Sequence, residues 1–410
     1  MQQGSLSDPR RWLVVGALGI SQIVGYGTLY YAFSVLAPAI AADLSWSMEW
    51  LFGAFSLSLL AAGLIAPRAG RWIDRFGAGW VMMLGSIASA IALLYSAVAP
   101  EPVSFTIGLI GISVSSTCVQ YSAAFALLVQ IDRERAQQSI TYLTLIAGFA
   151  STIFWPLTAG MMEHLSWRSI DIVFAVMHLT LCLPIHAYLS AWTRPGRVAL
   201  PSVAALPIDR PLVGLERSQA FTLMVVGFAL GSFVNAAVLV HMLPILGALG
   251  LGAASVLVST LFGPSQVLSR LTNMLFGKEL SQISLAIISA GLMPLGVAIL
   301  MSTAPWLPGA VAFAVVFGLG SGLNSIVQGT LPLSLFGQTG YGRRIGQITA
   351  ARLVASATAP FVLAFLISHV GVGGALGLAT LCGIGSVAAF LRIGFLVRSN
   401  MTPDAAGETP

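Results

Sequence analysis

Charged residues are scarce in this chain. Asp, Glu, Lys and Arg together make up 8% of its 410 residues, whereas apolar residues make up 57%. A soluble domain carries about 25% charged residues, because its surface faces water. With a mean hydropathy of +0.90, this composition excludes a soluble protein and predicts a polytopic, all-α integral membrane protein, since helices satisfy their own backbone hydrogen bonds in lipid.

Lysine and cysteine are nearly missing as well. Lys278 is the single lysine, and the basic residues occur singly or in short groups between apolar runs. This pattern does not indicate nucleic-acid binding and is typical of membrane loops. Cys118, Cys182 and Cys382 lie far apart inside apolar runs, so they predict neither a disulfide framework nor a metal site. We expect no metal and no other cofactor.

The apolar runs are long enough to be membrane spans. A helix needs about 20 apolar residues to cross the hydrocarbon core. Charges, prolines and glycine clusters divide the chain into twelve such runs, numbered here spans 1 to 12. They lie near 12–40, 48–67, 78–98, 103–130, 137–162, 169–192, 219–246, 253–276, 282–302, 308–336, 346–369 and 374–397.

The basic residues fix the expected orientation. Fifteen of them fall in alternate loops or at the tails, and Arg168 is the one in the opposite loops. By the positive-inside rule both termini are cytoplasmic. Residues 193–218 hold four prolines and four arginines, which predicts a cytoplasmic linker between two six-helix halves, 1–192 and 219–410. Trp155-Pro156 in span 5 and Ala359-Pro360 in span 11 echo each other, and duplicated halves are typical of transporters.

A motif between spans 2 and 3 narrows the class. Gly70-Arg71-Trp72-Ile73-Asp74-Arg75-Phe76-Gly77 resembles the loop signature Gly-x-x-x-Asp-Arg-x-Gly of the major facilitator superfamily. The resemblance implies twelve transmembrane helices in two pseudo-symmetric halves. We expect Gly70, Asp74, Arg75 and Gly77 to form a conformational latch, because Gly permits close helix approach and Asp can accept hydrogen bonds from a helix N-terminus. A short basic loop with one stray Asp is the alternative.

Other stretches are similar to bacterial monocarboxylate and oxalate–formate transporter-like proteins. They are Gly25–Tyr31, Leu44–Ser47, His241–Pro244, Gly318–Gly322 and Phe336-Gly337. That resemblance implies a small organic anion as substrate, held by basic residues in spans 8 and 11. Arg270 and Arg352 occupy those spans.

The charged residues inside the spans are positive, with no Asp or Glu near the centre of the bilayer. All fourteen Asp and Glu fall in loops, tails or span ends, so a carboxylate proton relay is not expected. Arg270 lies eight residues before Lys278, and Arg352 eight after Arg344, which puts each about 12 Å inside the boundary. Such arginines usually face the protein interior or a water-filled cavity. The alternative is that both snorkel to the cytoplasmic face.

Uncharged polar residues complete the predicted substrate site. Tyr26 and Tyr30 of span 1 are candidates with Tyr31, although one α-helical face cannot hold all three. Further candidates are Gln120 and Tyr121 in span 4, Asn235 in span 7, and Asn324 and Gln328 in span 10. Helix–helix hydrogen bonding is their alternative role. His241 and His178 are candidates for proton coupling, because His titrates near neutral pH, with a structural role as the alternative.

Three hypotheses remain open at this stage. The first is a secondary transporter of a small organic anion, a monocarboxylate or dicarboxylate, by proton symport or anion exchange. The second is an exporter of a neutral or cationic toxicant, a drug or metalloid, on the same fold. The third, an enzyme or sensor, is disfavoured because no catalytic cluster or soluble domain appears. We expect a monomer in the inner (cytoplasmic) membrane of a bacterium, with the lipid bilayer, a small-molecule substrate and protons as partners, and no nucleic acid.

Overall fold

A computed structural model describes residues 8–132, 134–191, 193 and 214–399. Within these residues the chain forms helices and no strand. Ten described helices are long and apolar enough to cross a membrane. Two features of the chain reconcile this number with twelve spans: span 8 is divided into two shorter helices, and spans 11 and 12 run on through Gly371.

The first six spans follow one another with short connections. Their bounds are Asp8–Asp43, interrupted by a π-helical turn over Gly27–Tyr31; Met48–Phe76; Ala78–Ala97; Pro102–Val119 and Tyr121–Ile131; Ala136–Ala147 and Ala150–Met162; and Trp167–Ser190, with a second π-helical turn over His178–Cys182. Spans 4 and 5 are therefore each broken near their middle.

The second six spans are also helical, and span 8 is the broken one among them. Their bounds are Gly214–Ala248; Ala254–Thr260 and Phe262–Phe276; Gln282–Thr303; Leu307–Phe336; and Tyr341–Ser399 for spans 11 and 12 together. Gly371 separates the last two with a φ of +82°, which glycine adopts without steric cost. Span 7 begins at Gly214, within the segment predicted as linker, and linker residues 194–213 lie outside the described residues.

The predicted loop motif is in fact helical. Span 2 continues to Phe76, so Gly70, Asp74 and Arg75 lie on its last two turns, and Gly77 alone connects it to span 3. Gly77 has a φ of +89°, which glycine adopts without steric cost. The sequence predicted that span 2 ends near residue 67, because the charged residues that follow give this segment a loop-like composition.

The two halves meet on the side of the bundle that carries Asp74, called here the Asp74 side; the opposite side is called the Asp43 side. One hydrophobic cluster on the Asp74 side joins Leu333, Tyr341 and Ile345 of the second half to residues of spans 1, 3, 4 and 5. The two clusters nearer the Asp43 side each contain residues of one half alone. Among the described residues the halves are therefore joined by a shared hydrophobic cluster on the Asp74 side.

Candidate functional site

The π-helical turn of span 1 gathers its tyrosines into one group. The Ala32 N–H donates to the Gly27 carbonyl, five residues back. Ring centroids of Tyr26 and Tyr31 are 6.4 Å apart, and those of Tyr30 and Tyr31 are 5.3 Å apart. The wider turn thus brings Tyr26 and Tyr31, which are five residues apart, onto the same face, and Tyr30 contacts the Tyr31 ring from the adjoining position.

Span 4 adds a fourth tyrosine at its break. Gln120 is extended, with a ψ of −167°, and Tyr121 begins the next helical segment with its ring 4.7 Å from that of Tyr26. The break frees the Val119 carbonyl, which accepts a 2.7 Å hydrogen bond from Gln22 Nε2. Interrupted helices of this kind are common where transporters bind ligands. Gln120 therefore contributes its backbone shape to the arrangement of the tyrosines.

Arg270 of span 8 reaches across the boundary between the halves. Its side chain is 6% exposed, and Nε donates to Ser325 Oγ at 3.0 Å and to the Gly322 carbonyl at 3.4 Å. Nη1 is buried without a hydrogen-bond partner, and it lies where a Cβ on Gly148 of span 5 would be. Arg270 is also within electrostatic range of Tyr31 and Tyr121.

Arg352 of span 11 is the second arginine near the tyrosine group. Its Nε donates to Ser232 Oγ of span 7 at 3.1 Å, and the guanidinium acts electrostatically on Tyr26 and Tyr30. Among the described residues neither Arg270 nor Arg352 forms an ion pair with an Asp or Glu. Two arginines of the second half, without an Asp or Glu partner among the described residues, thus lie within electrostatic range of four tyrosines of the first half.

Polar side chains extend the arginine-bearing wall. Ser321 Oγ donates to Asn235 Oδ1 at 2.8 Å and accepts from Gln266 Nε2 at 3.0 Å. Ser321 and Gln266 each lie four residues before a group already in the site, Ser325 and Arg270. Asn324 is half-buried and Gln328 is 5% exposed, and neither forms a hydrogen bond with an arginine of the site in the described residues. The part of these two residues in substrate binding stays a prediction.

Both candidate coupling histidines contact other helices and not the arginines. His241 Nε2 lies 3.0 Å from the Pro360 carbonyl of span 11; since a carbonyl only accepts, Nε2 carries the proton. His178 is fully buried, and its Nε2 lies 2.9 Å from Thr28 Oγ1 of span 1. Each histidine therefore forms a helix–helix hydrogen bond, the alternative that the sequence left open, and their role in proton coupling stays a prediction.

Two of the four predicted latch residues, Gly70 and Asp74, lie at the contact between spans 2 and 11, whereas Gly77 lies against Thr193 of its own half. Asp74 Oδ1 accepts from the Gly342 N–H at 2.8 Å, and Oδ2 accepts from the Arg343 N–H at 2.7 Å. These donors belong to the first turn of span 11, where the helix dipole favours a carboxylate. A Cβ on Gly70 would clash with the Gly342 carbonyl. Arg75 is exposed, with its guanidinium 5.2 Å from the Phe76 ring centre.

A cavity of about 890 Å³ lies away from this site. It runs between spans 2, 3 and 4 and is walled by apolar side chains that include Trp72, Trp80 and Tyr95. All three are more than a third exposed on the outer surface of the bundle. Because it contains none of the candidate residues, it belongs to the lipid-facing surface and not to the candidate site.

Several residues of the site were not predicted from the sequence. Ser232 and Ser325 hold the two arginines, and Gly148 gives Arg270 its space. Ser232 lies three residues before Asn235, and Ser325 is next to Asn324, so a polar stripe could have revealed them. Gly148 carried a weaker signal, since its only distinction in sequence is that it lies eight residues before Pro156, as Arg352 lies eight before Pro360.

Comparison with known proteins identifies similar chains. Residues 18–360 match the family profile of the Major Facilitator Superfamily. Monocarboxylate transporter 11 of Mus musculus is 25% identical over 376 residues, which cover 88% of this chain and 75% of that protein.

Two solved structures share the fold. The transporter FucP, described in the outward conformation, has a TM-score of 0.68 at 11% identity, covering 94% of this chain and 99% of FucP. The human organic anion transporter MFSD10 (TETRAN) has a TM-score of 0.68 at 14% identity, covering 95% and 100%. At these identities the structures bear on the fold alone, and they confirm the all-α membrane architecture that the sequence predicts.

Proposed function

Because the chain belongs to the major facilitator superfamily of transporters, we propose that it moves a small organic anion across a membrane by alternating access. The observation that carries this proposal is the pair Arg270 and Arg352, which lie within electrostatic range of four tyrosines without a carboxylate partner among the described residues. Similarity to monocarboxylate transporter 11 over 88% of this chain supports the same substrate class.

The charge of the site favours an anion over a neutral solute. A buried charge without a partner is costly, and the Nη1 group of Arg270 has no hydrogen-bond acceptor. A carboxylate bound at the guanidinium would compensate this charge, and a hydrogen bond to a charged group contributes about 1.5–3 kcal/mol. The tyrosine hydroxyls would orient the second oxygen of a monocarboxylate, or a second carboxylate, while their rings exclude water.

Exchange is the coupling mode that the site favours over proton symport. His178 and His241 are held by Thr28 and by the Pro360 carbonyl and contact neither arginine. In alternating access the binding site must reorient to its first side after it releases the anion. With two uncompensated positive charges, that step would be easier with a second anion bound than with the site empty. We propose a monomer in the inner membrane of a bacterium, with the Asp74 side in the cytoplasm, as the distribution of basic residues predicts.

Transport measurements with purified protein in proteoliposomes test the proposal. The panel contains [¹⁴C]oxalate, pyruvate and lactate as anions, with a neutral sugar, a lipophilic cation and arsenite beside them. We expect saturable uptake of one or more anions, accelerated by the same anion inside the vesicle. Uptake of the cation or arsenite with no anion uptake would contradict the proposal and favour the toxicant exporter. Acceleration by an imposed proton gradient, without acceleration by internal anion, would favour symport.

A further inference from the structure

The π-helical turn of span 1 decides where the site tyrosines point. In an α-helix, residues three and four apart share a face, whereas the i→i+5 hydrogen bond of this turn aligns residues five apart. Tyr26 and Tyr31 are five apart; their rings lie 6.4 Å from each other, Tyr26 within electrostatic range of Arg352 and Tyr31 within that of Arg270. If the turn reverted to an α-helix, Tyr31 would rotate by about one residue step, roughly 100°, relative to Tyr26.

Such turns are rare and need neighbours that hold them. Here span 5 contributes two contacts. The Phe154 ring occupies the space above Gly27, where a Cβ would clash with it. The Nε1–H group of Trp155 donates at 3.3 Å to the Tyr31 carbonyl. These contacts pack the start of the turn and satisfy a carbonyl at its end.

The third contact is a hydrogen bond inside the turn itself. Thr28 Oγ1 lies 2.8 Å from the Val24 carbonyl, which only accepts, so the single hydroxyl proton of Thr28 points there. Thr28 Oγ1 is then the acceptor in its 2.9 Å contact with His178, and the proton lies on His178 Nε2. His178 Nδ1 is buried without a partner. The imidazole therefore serves as a single buried donor to the turn.

His178 itself begins the π-helical turn of span 6, over His178–Cys182. The Thr28–His178 hydrogen bond thus joins the two π-helical turns of the first half. Both residues are buried, at 5% and 0% exposure, so water does not compete for the donor. Breaking the bond would leave the buried Nε2–H group of His178 without an acceptor, while Thr28 would keep only its hydrogen bond to the Val24 carbonyl.

We propose that His178 is a positioning residue: through Thr28 it holds the span 1 turn in its π-helical form and so directs Tyr26 and Tyr31 toward Arg352 and Arg270. The inference rests on the proposed function, because it assigns the tyrosines to the anion site. His178 does not touch the substrate. Its part is to donate one hydrogen bond, which a side chain that cannot titrate can also supply.

Four variants separate this role from general stability and from proton coupling. His178→Gln keeps an N–H donor at a similar reach and cannot be protonated. His178→Leu and the nearly isosteric Thr28→Val each remove the bond. His186→Leu is the matched control, because His186 lies on the same span, is equally buried and bonds Ser86 of span 3 at 2.7 Å, away from the turn.

The rate of hydrogen–deuterium exchange in the peptide covering residues 24–35 measures the stability of the π-helical turn, and it requires no substrate. Loss of a buried hydrogen bond predicts about three- to tenfold faster exchange in Thr28→Val and His178→Leu. His178→Gln and His186→Leu should match wild type in that peptide. The double variant of Thr28 and His178 should be no worse than the worse single one. Wild-type exchange in both Thr28→Val and His178→Leu would overturn the proposal, whether or not the protein transports anions.

Uptake of [¹⁴C]oxalate and [¹⁴C]pyruvate then tests the consequence for the site. We expect KM to rise about three- to tenfold in Thr28→Val and His178→Leu at unchanged maximal rate, and to return to wild type in His178→Gln. Unchanged KM despite faster exchange, or a His178→Gln variant as impaired as His178→Leu, would also overturn it. If wild type takes up none of the anion panel, the proposed function fails, and the exchange measurement still decides whether His178 holds the turn.

Discussion

Replacing Asp74 by Asn should open the Asp74 side of the protein. The carboxylate accepts from the Gly342 and Arg343 N–H groups at 2.8 and 2.7 Å, at the N-terminus of span 11. An amide keeps one acceptor oxygen, turns an NH₂ group toward the second donor and removes the charge that the helix dipole favours. Hydrogen bonds to charged groups contribute about 1.5–3 kcal/mol, and because Asp74 is partly exposed we expect a loss of about 2 kcal/mol.

That loss would shift the ratio of closed to open forms about 30-fold, at 1.4 kcal/mol per decade. Spin labels at Glu134 and Glu279, which are exposed and lie on opposite halves, report the separation by double electron–electron resonance. We expect a longer-distance population in Asp74→Asn. Asp43→Asn is the matched control, since the Asp43 carboxylate, among the described residues, accepts hydrogen bonds from Trp167 and Arg168 of its own half. Identical distance distributions for Asp74→Asn and wild type would refute the latch.

Three further substitutions have defined outcomes. Gly70→Ala should open the Asp74 side as Asp74→Asn does, because the added Cβ clashes with the Gly342 carbonyl; the same spin labels measure it, and an unchanged closed population would contradict the close approach. Gly148→Ala should displace the Arg270 guanidinium and weaken anion binding about tenfold, seen by titration calorimetry; wild-type affinity would show that Gly148 gives Arg270 no space. A reporter fused after Pro410 and one inserted between Pro195 and Pro211 should both read as cytoplasmic; an external signal from either would contradict the proposed orientation.

Sequence reasoning recovered the number of spans because hydrophobic length is a strong constraint in a membrane. It placed Arg270 and Arg352 in the interior for the same reason, since charges within spans stand out against apolar neighbours. It misplaced the end of span 2, where Arg71, Asp74 and Arg75 give a loop-like composition to residues that remain helical. A charged composition indicates that a segment is exposed to water, but it does not show whether the backbone there is helical.

The shape of the site could not be predicted in the same way. The π-helical turn over Gly27–Tyr31 depends on Phe154, Trp155 and His178, which are distant in sequence and contribute one contact each. The break at Gln120 depends on Gln22, almost a hundred residues earlier. Helical periodicity assumes 3.6 residues per turn, so it assigned the tyrosines to different faces. An analysis of helical periodicity cannot predict tertiary contacts that change the number of residues per turn.

The affinity of arginine variants for an anion tests the central claim most directly. Titration calorimetry with the anion that wild type transports best compares Arg352→Gln, Arg270→Gln and Arg352→Lys with Arg392→Gln, a control for an exposed arginine of span 12. Loss of one charge-assisted hydrogen bond predicts binding weaker by roughly ten- to a hundredfold in each Gln variant. Arg352→Lys should retain part of the affinity because the charge remains, and Arg392→Gln should match wild type. Wild-type affinity in both Arg352→Gln and Arg270→Gln would contradict the anion site.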